Sequence, residues 1–395
     1  MMRAFPGVRT AWRPDGLVAS LRPLDEAAPW IAAWRALSAR AFVENVFYEP
    51  DYGFSAQAAF GAGIGVLMVG DRPPEEPGLR LLAVWPCRIV RRWGVPLPVL
   101  MGWTHGFSIF GAPLLDRDDP DGALAALLDA PRCLRLPRRL MMPYLPLDGP
   151  FAALLAREQA KEQVLRGGRR EAFWAHDRGF LDLAACDEPA RETYLAGHLS
   201  RSKASQLDRF ARRLAREGPV AFETIREPAA LAEALDDYIA LEDSGWKGRA
   251  GTAVARRPPE AEFLRRLVAR YGARGQVRID RLRREGTTLA ASIGLRTDAT
   301  LWYFKVSYCE DEARNSPGAQ LVRRVTQDLL ADPSLAAADS CAPPGFSMID
   351  SFWAERRSLA HTLVEAGGGD PLFPLAVRLE RARAWAAGVR KRLRR

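Results

Sequence analysis

The stretch that decides the fold runs from Gln276 to Leu330 and reads QVRIDRLRREGTTLAASIGLRTDATLWYFKVSYCEDEARNSPGAQLVRRVTQDLL. Runs of β-branched and aromatic residues separated by short turns predict three successive strands. These are Gln276–Leu282, Thr287–Arg296 and Ala299–Tyr308. The turns at Arg284–Gly286 and at Thr297 and Asp298 are short enough to join antiparallel neighbours. The stretch then predicts a helix at Ala319–Leu330, entered through the turn at Asn315–Gly318.

The flanking segments extend this pattern on both sides. Upstream, apolar spacing predicts a helix that stops at Gly218, then a strand and two more helices. Downstream, we predict one further strand and a last helix. The segments in chain order are Leu199–Arg216, Pro219–Ile225, Glu227–Leu241, Glu260–Tyr271, Phe346–Asp350 and Trp353–Val364. Strands and helices in this order predict an α/β (α+β) domain with a mixed, mainly antiparallel central sheet.

The first half of the chain gives a weaker pattern. We predict helices at Glu26–Phe42, Leu124–Leu128 and Phe151–Leu165, strands at Ala59–Val69, Leu81–Arg91, Val95–Gly102 and Arg138–Tyr144, and connections at Gly167–Arg170 and Ala175–Gly179. The predicted domains are therefore 1–180, 181–370 and a basic C-terminal tail, 371–395.

The composition indicates which partners, cross-links and location to expect. The chain has 395 residues and a net charge of +9, which favours anionic partners without choosing among them. Its five cysteines lack ligand spacing, so we expect neither a disulfide framework nor a metal site. The N-terminal segment Met1–Ser20 has no continuous apolar run, which predicts a cytoplasmic protein.

Three motifs in the second half carry a family resemblance. They are the Ser202-Lys203 start of an arginine-rich helix, the segment Ser244–Arg249 (SGWKGR), and Asn315–Gly318 (NSPG) leading into a helix. Over roughly residues 195 to 365 the chain resembles the CelD/BcsL-type, BioF2-like acetyltransferases of the GNAT fold. That family is similar to the FemAB-type transferases, which place two GNAT-like domains side by side. The resemblance implies acyl transfer from a thioester, usually an acyl-CoA, to an amine or hydroxyl.

The start of the predicted helix after Asn315 is the candidate cofactor site. Backbone N–H groups at a helix N-terminus favour a pyrophosphate, so we predict that coenzyme A contacts Asn315, Ser316, Gly318, Ala319 and Gln320. Pro317 occupies the first glycine position of a typical GNAT loop and removes one donor. An ordinary helix start, with Ser316 as N-cap and proline at N1, would look the same.

Three residues are candidates for the chemistry of transfer, which needs a base for the acceptor and a donor for the oxyanion. Asp350, at the end of its predicted strand, matches an aspartate of the family and is the first candidate for the base. Lys305 stands in the apolar run LWYFKV, where period two places it on the same face as Tyr303. It either snorkels from an edge or faces the cleft as an electrostatic stabiliser. Tyr308 is a further candidate, with Glu310 and Asp311 beside it.

The acceptor is predicted to lie beside the SGWKGR segment. Trp246 with Lys247 and Arg249 suits an acceptor that has an apolar part and a negative group, although Trp246 would equally plug the edge of the domain. Tyr303 and, in a loop of the first domain, His105 complete the predicted substrate contacts. A lone histidine is more often structural than catalytic.

Two basic segments remain. Arg201, Arg209 and Arg213 recur at multiples of four, which indicates a solvated helix face or a site for an acidic acceptor or lipid. The stretch Val377–Arg395 is also strongly basic and is predicted to attract anionic membranes reversibly.

These features predict an acyl-CoA-dependent N- or O-acyltransferase for an envelope, polysaccharide or lipid precursor, without a metal. The alternatives are N-acylation of a long-chain, sphingoid-like amine at the inner membrane face, FemAB-like aminoacyl transfer, and a catalytically degenerate GNAT-like binding protein. Expected partners are a small-molecule or lipid acceptor and an anionic membrane at the periphery. Nucleic acid is not expected unless the donor is a tRNA.

Overall fold

The computed structural model describes residues 7–26, 30–166, 168–343 and 348–393. They divide into two compact units. The first contains the described residues up to His176 and those from Ser358 onward, and the second spans Asp177–Arg357. The sequence-based division had placed the boundary near residue 180 and had kept 181–370 together.

The first unit is built on a mainly antiparallel sheet. Its strands pair in the order β1-β2-β3-β4-β5-β7-β14, and only β5 and β7 are parallel. The strands are β1 (Arg9–Trp12), β2 (Val18–Pro23), β3 (Gly65–Gly70), β4 (Leu81–Val90), β5 (Val99–Gly102), β6 (Leu114–Leu115, paired with β4), β7 (Arg139–Pro146) and β14 (Glu355–Glu365). The helices are α1 (Ile31–Ala39), α2 (Pro50–Phe60), α3 (Pro120–Cys133), α4 (Gly149–Arg166) and α11 (Phe373–Leu393).

The second unit repeats this strand pattern. Its strands pair in the order β9-β10-β11-β12-β13-β8, again with a single parallel pair, β12 with β13. The strands are β8 (Arg170–Asp182, of which 177–182 lie in this unit), β9 (Val220–Ile225), β10 (Val277–Arg284), β11 (Thr287–Arg296), β12 (Thr300–Tyr308) and β13 (Ala337–Asp339). The helices are α5 (Glu188–His198), α6 (Arg201–Arg216), α7 (Pro228–Ser244), α8 (Trp246–Arg249), α9 (Pro258–Gly272) and α10 (Pro317–Leu330).

Helices cover both faces of the second sheet. Along β10, Arg281 pairs with Asp237 of α7 at 2.6 Å, whereas Arg278 pairs with Asp328 of α10 at 3.0 Å. Because residues an odd number of positions apart on a strand point to opposite faces, α7 and α10 lie on opposite sides of the sheet. The apolar core on the α10 side includes Val322 and Val325 of that helix.

In the second unit, the parallel strands β12 and β13 are paired only at the beginning of β12. The pairing of β12 with β13 runs from Thr300 opposite Ala337 to Trp302 opposite Asp339. Strand β12 continues to Tyr308 along β11, while β13 has already ended. The last residues of β12 therefore border a gap in the sheet.

Two predictions at the C-terminal side of this unit are wrong. The predicted helix Trp353–Val364 is largely the strand β14, which is buried over most of its length from Leu359 onward. A strand buried on both faces loses the alternation that would have identified it. The strand predicted at Phe346–Asp350 partly lies outside the described residues, and Ile349–Ser351 forms a 3-10 turn. The strand that follows α10 is β13.

Other segments also differ from their predictions. Of the predicted connections Gly167–Arg170 and Ala175–Gly179, Arg170 and Ala175–Gly179 belong to β8, and Gly167 lies outside the described residues. Ala59 and Phe60, predicted to begin a strand, end the helix Pro50–Phe60. Strands β1 and β2 were not predicted. The predicted basic tail is largely α11, whose residues Phe373, Ala376 and Glu380 are buried.

Candidate functional site

A small cavity lies at the junction of α7, α8 and the end of β12. Its volume is about 150 Å³. The residues that line it are Glu242, Gly245, Trp246, Lys247, Val306, Ser307, Tyr308, Glu310 and Met348. Five residues named from sequence are therefore in or beside this cavity: Trp246, Lys247, Tyr308 and Glu310 line it, and Lys305 immediately precedes Val306.

Glu310 fixes the loop that carries Trp246. Its carboxylate accepts the backbone N–H of Trp246 at 2.8 Å and a hydrogen bond from the guanidinium of Arg249. These two hydrogen bonds, the one from Arg249 first, lower the pKa of Glu310 below its ordinary value. The Trp246 side chain is 59% exposed, so it does not plug the domain.

Glu242 is the centre of the site, and it was not predicted. Its buried carboxylate accepts hydrogen bonds from Lys247 Nζ at 2.7 Å, the hydroxyl of Tyr238 at 3.2 Å and the backbone N–H of Val254 at 2.8 Å. Lys305 Nζ lies 3.5 Å from the same carboxylate. Burial alone would raise the pKa of Glu242, but the ammonium groups of Lys305 and Lys247 outweigh it and lower the pKa.

Lys305 enters the site because β12 contains a β-bulge. Ile293 of β11 pairs with Lys305 and the next residue, Gly294, pairs with Tyr303, so Phe304 is an extra residue on β12. Burial lowers the pKa of Lys305 to about 8, although the carboxylate of Glu242 acts in the opposite direction. A lysine with this pKa has an appreciable neutral fraction near physiological pH.

The same bulge corrects the prediction that Tyr303 shares a face with Lys305. Neighbouring residues on β11 point to opposite faces, so their partners Tyr303 and Lys305 do so too. Tyr303 is buried on the α10 side, with its ring centroid 6.2 Å from that of Trp353. Tyr303 thus belongs to the apolar core and not to the lining of the cavity.

The turn before α10 is held by side chains predicted to contact the cofactor. Asn315 is fully buried; it accepts a hydrogen bond from Arg213 at 2.5 Å and donates one to Glu312 at 2.7 Å. Gln320 donates to the backbone carbonyl of Asn315 at 2.7 Å. Ser316 adopts a left-handed conformation (φ 48°). These residues shape the turn.

The first turn of α10 keeps backbone donors available. Ser316 stands at the N-cap position, but its side chain makes no capping hydrogen bond, and Pro317 has no N–H. The amides of Gly318 and Ala319 have no carbonyl within the helix to bind, as in any first turn. Gly318 also packs closely under Tyr308, since a Cβ added at Gly318 would lie 3.0 Å from Tyr308 Cδ1 and 3.2 Å from Met348 Cε.

The corresponding helix of the first unit differs at this point. Helix α3 lies between the parallel strands β5 and β7, as α10 lies between β12 and β13, but Asp119 caps α3 by accepting the N–H of Gly122 at 2.9 Å. Asp121 adds a second carboxylate in its first turn. In addition, Gly111 donates its N–H to the carbonyl of Tyr144 on β7, at 3.1 Å. A phosphate is therefore disfavoured at α3.

Two further predicted site residues, besides Tyr303, lie away from the cavity. Asp350 is in the 3-10 turn Ile349–Ser351; its carboxylate is 42% exposed and 3.5 Å from Arg356. His105 belongs to the first unit, where its ring stacks on Phe60 with centroids 4.0 Å apart. Burial lowers the pKa of His105 to about 3, so the ring is neutral at physiological pH.

The sequence did contain a signal for Glu242. Leu231, Leu235, Tyr238 and Glu242 recur at the three-and-four spacing of one helical face, and all four are buried. A carboxylate on an apolar stripe requires a partner because burial of an unpaired charge is costly. Lys247 in the following motif was such a partner.

Comparisons with known proteins agree with this architecture. Residues 201–342 match the family model described as an acetyltransferase (GNAT) domain. No curated protein matches the chain significantly in sequence.

Solved structures resemble the chain over nearly its whole length. FemX has a TM-score of 0.56 at 8% identity, with 85% of this chain and 96% of that chain covered. The C-terminal (DUF2156) domain of a protein from Agrobacterium fabrum assigned as a lysylphosphatidylglycerol synthetase has a TM-score of 0.52 at 14% identity, with 90% and 97% covered. A conserved protein of unknown function from Bacteroides thetaiotaomicron has a TM-score of 0.51 at 10% identity, with 85% and 97% covered. The chain has the GNAT fold, and its residues 201–342 match the model of an acetyltransferase (GNAT) domain.

Proposed function

We propose that the second unit transfers an acyl group from an acyl-CoA to an amine or hydroxyl of an envelope, polysaccharide or lipid precursor. The observation that carries this proposal is the ion-paired group of buried Glu242 with the partly exposed Lys247 and Lys305, beside a cavity at the open end of the parallel strand pair. A GNAT acetyltransferase domain implies acyltransferase activity in general.

Lys305 is the proposed base. In its neutral form Nζ accepts the proton that the acceptor amine loses as nitrogen attacks the thioester carbon. The carbon–nitrogen bond forms, the carbon–sulfur bond breaks, and the thiolate leaves. Glu242 then stabilises the ammonium formed on Lys305, since its carboxylate lies 3.5 Å away. A positioned base of this kind contributes roughly 10²- to 10⁴-fold to the rate.

The start of α10 is the proposed phosphate site of the donor. Its first-turn amides and its dipole favour a pyrophosphate, and Ser316 leaves the position uncapped. The carboxylates just before the turn repel a bound pyrophosphate only weakly, because Glu310 pairs with Arg249 and Glu312 pairs with Arg284 at 2.7 Å. Tyr308 lies between this turn and the cavity and could supply a hydroxyl to the leaving sulfur.

The acceptor is proposed to enter beside Trp246. Its exposed indole offers an apolar surface, and the guanidinium of Arg249 is 65% exposed despite its pairing with Glu310. An acceptor with both an apolar part and an anionic group fits these two side chains. This combination supports a lipid-linked or long-chain amine as readily as a sugar phosphate.

A second candidate is FemAB-like aminoacyl transfer from a tRNA, and α6 is the feature that favours it. Arg201, Arg209, Arg212 and Arg216 lie within one outward stripe of this helix and are exposed. Among the described residues they take part in no ion pair of the second unit. The stripe spans about 22 Å at 1.5 Å per residue, which is longer than a single phosphate group requires.

One experiment separates these functions. Coenzyme A is titrated into the full chain by calorimetry, and thiol release from acetyl-CoA and a long-chain acyl-CoA is followed with a panel of sugar amines and long-chain amines. The proposal expects saturable coenzyme A binding and acceptor-dependent thiol release. Binding without release from any acceptor would indicate a binding protein, and absence of coenzyme A binding would favour the tRNA-dependent alternative.

A further inference from the structure

Helix α11 is integrated into the first unit by one face. Phe373, Ala376 and Glu380 are at most 1% exposed. The Glu380 carboxylate accepts two hydrogen bonds from Arg92, at 2.7 and 2.9 Å, and one from the indole of Trp93 at 2.7 Å. Helix α11 is therefore a fixed element of this unit rather than a loose basic tail.

The opposite face of α11 combines apolar and cationic side chains. Leu375 is 45% exposed and Trp385 is 73% exposed, the highest fraction for a large hydrophobic residue within the described parts of the chain. Residues 375, 378, 382, 385 and 389 follow the three-and-four spacing that lines one face of a helix. Arg378 thus lies on the same stripe as Leu375 and Trp385.

Some arginines of α11 form ion pairs within the protein, and others form none with the described residues. Arg381 pairs with Glu171 at 2.7 Å and Arg383 pairs with Glu380 at 3.2 Å. Arg378 and Arg390 are exposed, and neither forms an ion pair with another described residue. Beyond them the sequence adds further positive charge at Lys391, Arg392, Arg394 and Arg395.

We propose that the Trp385 face of α11, formed by Leu375, Arg378 and Trp385 and flanked by the exposed Arg390, docks on the surface of an anionic phospholipid bilayer. Tryptophan favours the boundary between headgroups and acyl chains, and arginine binds lipid phosphates through its planar fork. The helix lies along the surface in this arrangement. No helix in the described parts of the chain is long and apolar enough to cross a membrane.

Charge complementarity together with an exposed tryptophan favours a lipid surface over a nucleic acid. The arginine stripe of α6 has the same kind of charge but presents no large exposed hydrophobic residue. Helix α6 therefore provides a matched control for charge alone. The proposal does not depend on the acyl-transfer proposal, since it concerns where the protein binds and not what it catalyses.

The test measures vesicle flotation with the full chain. Vesicles of phosphatidylglycerol and phosphatidylcholine are compared with vesicles of phosphatidylcholine alone, at about 0.1 M and about 1 M salt, where the screening length is about 10 Å and about 3 Å. Three double variants are compared with the wild type. They are Leu375→Gln/Trp385→Gln, Arg378→Gln/Arg390→Gln and, on α6, Arg209→Gln/Arg212→Gln, which changes the charge as much as the second variant does.

We expect the wild type to float with anionic vesicles and to dissociate at high salt. Each α11 variant should reduce vesicle affinity by about tenfold or more, through lost apolar burial in one case and lost charge in the other, whereas the α6 variant should float like the wild type. Unchanged binding of both α11 variants, or an equal loss in the α6 variant, would overturn the proposal. Circular dichroism melting confirms that each variant is folded, since all six side chains are on exposed faces.

Discussion

Replacing Glu242 with glutamine is expected to shift the pH dependence of acyl transfer to lower pH. The Glu242 carboxylate lies 3.5 Å from Lys305 Nζ and favours its charged form, so the pKa of Lys305 is held at about 8 against the effect of burial. Loss of one opposite charge at this distance lowers a pKa by about one to three pH units. The neutral fraction of Lys305 at pH 7 then rises from about 10% to about half or more.

The assay is the pH profile of kcat/KM for thiol release between pH 5 and 10, at about 0.1 M salt. Activity of the wild type should rise with a midpoint near pH 8, the pKa of Lys305, and that of Glu242→Gln should rise with a midpoint between about 5 and 7. Glu310→Gln is the matched control. It removes a carboxylate of the same cavity, but this carboxylate binds Trp246 and Arg249 and not Lys305. An unchanged midpoint in Glu242→Gln, or an equal shift in Glu310→Gln, would refute the assignment of Lys305 as the titrating base.

Three further predictions concern other positions. Gly318→Val should weaken coenzyme A binding in calorimetry by about tenfold, or ~1.4 kcal/mol, because its side chain would crowd Tyr308 and the first turn of α10; equal affinity would remove this turn as the phosphate site. Asp350→Asn should leave turnover within about twofold of the wild type, and a loss on the order of 10² would return the role of base to Asp350. Glu380→Gln should lower the free energy of unfolding at pH 7 by about 3 kcal/mol in urea titrations, because it leaves Arg92 without its buried partner. Since Arg92 holds the pKa of Glu380 at about 2 in the folded state despite burial, the wild type should lose this stability as the pH falls from 4.5 toward 2. The Glu380→Gln variant should lack this loss, and the same pH dependence in wild type and variant would contradict this account.

The second unit was largely predictable because its strands are short, regular and separated by clear turns. Thr287–Arg296 was predicted at the observed bounds, and the helices around it differ from their predictions by a few residues at each end. The strand β14 was mistaken for a helix because pairing with β7, which lies far away in sequence, determines its conformation. Local patterns do not contain that information.

The candidate site was predictable only in part. Lys247 in the SGWKGR segment and Lys305 were noted in the sequence as cations beside aromatic residues, and in the structure both approach the carboxylate of Glu242. The face of Tyr303 was mispredicted because a β-bulge at Phe304 breaks the period of two, and no local sequence signal marks this bulge. Asp350 was chosen from the position of a predicted strand that the structure replaces with a turn.

The most direct test of the proposed transferase is the comparison of Lys305→Met with the wild type in one experiment that measures both coenzyme A affinity and acceptor-dependent thiol release at pH 8. The account predicts that the variant binds coenzyme A as tightly as the wild type, because Lys305 pairs with Glu242 of α7 on the face of the sheet opposite α10, while its turnover falls on the order of 10² or more. Turnover near the wild-type value in a folded Lys305→Met variant would contradict the central claim.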